Sequence, residues 1–349
     1  HDPAAEATKF AESARTPFAF AGAIPTKVLV ARVSDDRAHV VLLTHHIVAD
    51  VPSLGIFARS FAAAYERALT GGDCSLEPPP VSYADFAQWE REWFTGEGIR
   101  RLESVRRRLA DVPPVAFPSE RPRGPTLSFE AHERSLTLRQ RDLEAIMGVA
   151  KAESVTPYML FLVAVGALVR GYTGATRVPV AGPTDTRHRR PELAQLAGRF
   201  LNVFASVVDV DGNPTVHELL ARVRPAALDA LEQRDVPTWY ALGSENSFDC
   251  ELHRLMLNGP TFWPKSQPIL SRDGLTIAYA PLHVLDGERA RNEVILSAWA
   301  SDDELTLAAR RASSLFDAEG TQRVVDSFGR ILCASKPETH LSELLALCE

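Results

Sequence analysis

The chain has 349 residues, 45% of them apolar and 24% charged, a length at which one hydrophobic core usually stops growing, so two lobes are expected. Its formal charge of −7 provides no broad basic field, which argues against a phosphate-tracking nucleic-acid binder. The longest apolar run, Tyr158 to Val169, is shorter than the ~20 residues of a membrane span, the four cysteines show no CxxC spacing, and no basic-then-apolar leader opens the chain, so a reducing cytoplasm is the expected compartment.

Val28 to Val33 and His39 to Thr44 are β-rich runs around the turn-forming Ser34-Asp35-Asp36-Arg37, which predicts a hairpin delivering His45 and His46 at its end. Ser53 then reads as the N-cap of a helix in which Leu54, Phe57, Ala58, Phe61, Ala62 and Tyr65 recur at helical spacing until Gly71-Gly72. Two more helices are expected over Tyr83 to Phe94 and Ile99 to Leu109. Between Asp111 and Thr126 the chain carries Pro113, Pro114, Pro118, Pro122 and Pro125 with little periodicity, as a crossing segment does. The expected division is therefore 1–112, a linker at 113–127, and 128–349.

Beyond the linker come a helix around Arg139 to Glu153 and one capped by Thr156, with Pro157 at its first position and an almost wholly apolar, hence buried, body to Arg170. Arg177 to Ala181 and Phe200 to Val208 read as strands, the second followed by a turn at Asp211-Gly212-Asn213-Pro214 and a helix from Val216 to Leu231. Glu293 to Ala300 and Glu304 to Ala309 flank Ser301-Asp302-Asp303 as another hairpin, and a last helix covers Thr321 to Cys333. The fold class is α/β.

His45-His46-Ile47-Val48-Ala49-Asp50, at a strand end, is the local feature most able to carry chemistry. Taken alone it has bland readings: two surface histidines, a satisfied core histidine, or a metal pair without a third ligand. On extended backbone adjacent side chains point to opposite faces, so one imidazole can face a cleft while its neighbour packs inward, with Asp50 bracing the loop.

Five ordered stretches resemble the condensation domains of nonribosomal peptide synthetases. Thr16 to Asp50 is similar to the segment leading into their HHxxxDG signature, and Ser82 to Trp93 to their YxDYAxWQ helix. Phe117-Pro118-Ser119-Glu120-Arg121-Pro122-Arg123 resembles the LPTDRPRP linker, Pro191-Glu192-Leu193 to Asn202-Val203 the PEL…GxFxNT segment, and Asn213 to Arg224 the helix that follows it.

The resemblance implies two chloramphenicol-acetyltransferase-like lobes in a V-shaped arrangement, with the N-terminal lobe incomplete because the family's opening segment has no counterpart here. It implies His46 midway along a tunnel entered from both ends by phosphopantetheine arms of donor and acceptor peptidyl carrier proteins, with no cofactor or metal bound by the domain itself, and with neither nucleic acid nor membrane as partner. There His46 would accept the acceptor amine's proton or position that amine. His45 and Asp50 would support the site; an ungapped match puts the arginine partner of Asp50 at His188, leaving the flanking Arg187 and Arg189 as alternatives. Asn202 would line the channel or satisfy backbone groups. The family's glycine after the aspartate is Val51 here, expected to crowd the acceptor side. Gln233 to Trp239 matches HxxxPFE only in part, and Cys250 to Pro268 does not resemble RDxSRxPL. Two functions stay open: amide (or ester) formation, and an idle domain that recruits or gates partner proteins. An epimerisation domain shares the histidine loop, whereas the DFGWG motif of plant acyltransferases is missing.

Overall fold

A hairpin of β1 (Thr26–Arg32) and β2 (Ala38–Thr44) comes first, its strands antiparallel with Val30 opposite Val40. The computed structural model describes residues 9, 17–22, 24–124, 128–245, 249–262, 269–272, 275–278, 291–301 and 303–348. After a turn come α1 (Val51–Leu69), α2 (Tyr83–Thr95) and α3 (Glu97–Leu109). The cap of α1 is not Ser53 as expected but Asp50, whose carboxylate accepts from the Ser53 amide while the Ser53 hydroxyl answers to the Asp50 amide. The helix starts three residues earlier because a carboxylate and a hydroxyl three apart close a capping box.

The next strands are β3 (Ala131–Arg139), β4 (Arg177–Asp185), β5 (Leu201–Asp209), β6 (Leu255–Phe262), β9 (Val294–Ala300) and β10 (Glu304–Ala312). They form a six-stranded sheet in the order β3-β10-β9-β6-β4-β5. β10 runs antiparallel to β3 and β9, and β6 parallel to β4 and β9. β7 (Leu270–Arg272) and β8 (Leu275–Ile277) form a separate small ladder.

Helices α4 (Gln140–Ala152), α5 (Pro157–Thr173), α6 (Val216–Glu232), α7 (Thr238–Ala241), α8 (Ala318–Ala334) and α9 (Leu341–Leu345) complete the chain. Thr156 caps α5 and Pro157 opens it, as its sequence predicts, and every residue from Met159 to Val169 is buried among Leu219, Leu257, Phe328 and their neighbours. This helix is a core element, and among the described residues no single helix is long and apolar enough to cross a membrane.

The chain gathers into two compact units that do not follow the expected division at 113–127. The first joins 1–93, 185–201 and 266–287; the second joins 94–184, 202–265 and 288–349. Residues 113–127 and α3 thus belong to the second unit, whereas the segment between β4 and β5, which carries Arg187, belongs to the first.

Candidate functional site

The turn that follows β2 lies in the first unit. His45 stands just past the strand and Val48 N–H donates to its carbonyl, so the chain turns at the histidines instead of continuing extended, and the strict face alternation of a strand does not apply. His45 is exposed, with Phe18 and Phe20 meeting its ring edge-on at centroid distances of 6.1 and 4.8 Å. Its Nδ1 accepts from the Ile47 amide at 3.1 Å, so this ring ties the turn together.

His46 is half-buried, and its Nδ1 lies 2.7 Å from the Ala49 carbonyl oxygen. A carbonyl only accepts, so Nδ1 carries the hydrogen, and in the neutral ring the lone pair belongs to Nε2. That tautomer is the one needed to take a proton or accept a hydrogen bond from a nucleophile.

Asp50 and Arg187 form a buried two-pronged pair, with Nη1 to Oδ2 and Nη2 to Oδ1 both 2.8 Å. The Phe200 amide adds a bond to Oδ2 at 2.9 Å, and the Ser53 hydroxyl lies 2.6 Å from Oδ1. The remaining donors of Arg187 reach the Leu196 carbonyl at 3.1 Å, Asp185 Oδ1 at 3.0 Å and the Gly198 carbonyl at 3.1 Å, while its guanidinium lies 4.0 Å over the Phe200 ring. A buried ion pair is tolerated only when its leftover donors and acceptors are satisfied, as they are here. Burial pushes the Asp50 carboxyl up, but the hydrogen bonds from Arg187, Ser53 and the Phe200 amide outweigh it and hold the group below the usual carboxylate range.

Of the two arginines flanking His188, Arg187 is therefore the one paired with Asp50; the side chain of Arg189 lies outside the described residues. His188 turns its Nδ1 to the Asp185 carbonyl at 2.8 Å. Val51, the first residue of α1, is 58% exposed and so takes no part in the buried pair. Asn202 belongs to the second unit, where it is buried, donates to the Arg234 carbonyl at 2.6 Å and accepts from the Val203 amide at 2.8 Å, both backbone groups. Sequence reasoning missed Ser53, Gly198 and Phe200 as parts of the site. The Asp-x-x-Ser spacing was the available signal for Ser53, since it is the pattern of a capping box.

A family model, "Condensation domain", matches residues 1–348. The chain belongs to the condensation-domain family. This condensation domain is 28% identical over 306 residues, 86% of its length, to a linear gramicidin synthase protein of Brevibacillus parabrevis, and it spans only 4% of that relative. Its fold is that of the X-domain from teicoplanin biosynthesis, with a TM-score of 0.82 at 21% identity, covering 98% of this chain and 79% of that one. The first condensation domain of the calcium-dependent antibiotic synthetase, in complex with a substrate analogue, aligns at a TM-score of 0.72 and 18% identity, over 98% of this chain and 75% of that one. The condensation domain thus has the α/β, chloramphenicol-acetyltransferase-like architecture, and its relatives are nonribosomal peptide synthetases.

Proposed function

We propose that this condensation domain joins a donor acyl thioester to an acceptor amine, both held on the phosphopantetheine arms of carrier proteins in the cytoplasm. The observation that carries the reading is the His46 ring, fixed by the Ala49 carbonyl in the tautomer whose Nε2 is basic, on a turn anchored by a buried ion pair. The acceptor nitrogen attacks the donor carbonyl carbon, the carbon–sulfur bond breaks, and the amine proton passes through His46 to the departing thiolate. A hydroxyl acceptor would follow the same course to an ester. In this reading Val51, exposed beside the turn, and Asn202 are the candidate channel residues, and the exposure of Val51 supports a part for it in selecting acceptors.

The test is turnover with synthetic pantetheine thioesters, read for the wild type and for His46→Ala. General-base or positioning roles contribute ~10²–10⁴, so the variant should lose a hundredfold or more with a melting temperature close to wild type. Wild-type-like rates in the variant would remove His46 from the mechanism. A protein that binds carrier protein yet forms no product would be a recruiting domain instead.

A further inference from the structure

Ser53 is fully buried, with its hydroxyl at the centre of the anchor. Oγ lies 2.6 Å from Asp50 Oδ1, 2.9 Å from the Gly198 carbonyl oxygen, 3.0 Å from the Gly198 amide nitrogen and 3.0 Å from Arg187 Nη2. A hydroxyl has one proton and two lone pairs, so the carboxylate or the carbonyl takes the proton while the Gly198 amide and Arg187 donate to the lone pairs, with the Asp50 amide a longer third donor at 3.4 Å. Nothing is left over for substrate or water, and Ser53 can act only by holding other groups.

Gly198 presses the opposite side of the same contact. A Cβ there would come within 2.2 Å of Tyr83 Cδ2 and 2.5 Å of Cε2, so the ring lies directly on bare backbone. The Tyr83 hydroxyl donates to the Arg199 carbonyl at 2.8 Å, and its ring meets Phe200 edge-on at 5.2 Å. Backbone 198–200 is thereby clamped between the aromatic side of α2 and the Asp50–Ser53 start of α1. The turn 45–50 hangs from that start, because the His46 ring is tied to the carbonyl of Ala49, the residue before the cap.

We infer that Ser53 and Gly198 are positioning residues for His46: together they form a latch that fixes the 45–50 turn against the 198–200 backbone. The kinetic part of this inference rests on the condensation reading above; the structural part does not.

The experiment combines two readouts on the full chain well below its melting temperature: amide hydrogen exchange at residues 45–50, and kcat and KM with pantetheine thioesters. Leaving the Gly198 amide without its acceptor, and Asp50 without the Ser53 hydroxyl, should speed exchange at 45–50 about tenfold in Ser53→Ala, with the strand pairing of β1 and β2 exchanging as in wild type. Turnover should show a kcat reduced about tenfold at nearly constant KM. Gly198→Ala, which drives Tyr83 away, should give the same pattern. Ser53→Cys keeps the volume while weakening each bond, and it is read by the same criteria should Ser53→Ala fail to fold. Wild-type exchange at 45–50 despite a lowered melting temperature overturns the latch, as does exchange that rises uniformly over the first unit. If wild type itself forms no product, the condensation reading fails alone, and exchange still decides the latch.

Discussion

Protonating Asp50 removes one charge from a pair that has almost no water around it. Because the folded carboxyl titrates below its unfolded value, its contribution to stability is fully present above the unfolded carboxylate range, near ~3.9, and is lost as pH falls through the lower folded value. Asp50→Asn makes that loss permanent by leaving Arg187 buried without its counter-charge, at a cost of ~3–5 kcal/mol. Unfolding measured in urea from pH 3 to 8 (roughly the span over which carboxylates and imidazoles titrate) should show the variant less stable at neutral pH. The difference from wild type should shrink toward the acid end. A constant difference over the whole range would mean that the charge on Asp50 is not what holds the pair.

Helix α5 shows how much packing hangs on a single missing side chain. A Cβ on Gly166 would come within 2.7 Å of Val208 Cγ1 and 2.9 Å of Val210 Cγ1, so the helix lies on β5 and the residue just after it with no room for a methyl group. Gly166→Ala gains helix propensity of ~1 kcal/mol but forces the two valines aside; overpacking at ~1–3 kcal/mol should win, lowering the urea midpoint with an unchanged m-value. A raised midpoint would show that the sheet yields more easily than a packed interior should.

The same helix was the most legible element in the sequence, since a capping threonine, a first-position proline and an unbroken apolar body all point one way. β3 was not legible: most of its residues are exposed or half-buried, so no apolar alternation marks it. Within β6, Asn258-Gly259-Pro260 reads as a turn, and only pairing with β9 reveals a strand. At the site, the resemblance directed attention to Asp50 and to two arginines, but choosing Arg187 needed the backbone of the Thr186–Arg189 turn, which sequence spacing does not encode. The role of Ser53 stayed hidden because a residue assigned as a cap is not also looked for inside a charge network.

Over the whole molecule, sequence order and compact units diverge most at 185–201. This stretch leaves the six-stranded sheet at the end of β4 and re-enters it at the start of β5, yet its contacts belong with the histidine turn. The site's charge pair therefore unites residues that lie 137 positions apart, on either side of the proline-rich segment 113–127. Recombining synthetases by crossing over within that segment would take Asp50 and Ser53 from one parent and Arg187, Gly198 and Phe200 from the other. Such hybrids should keep soluble yield and melting temperature when both parents supply this set, and lose both when the second lacks an arginine at 187. Equal yields from the two kinds of hybrid would disprove this. The inheritable unit of the histidine turn is then a discontinuous pair of cassettes, and a joint that looks neutral in the linear chain is a mating surface in three dimensions.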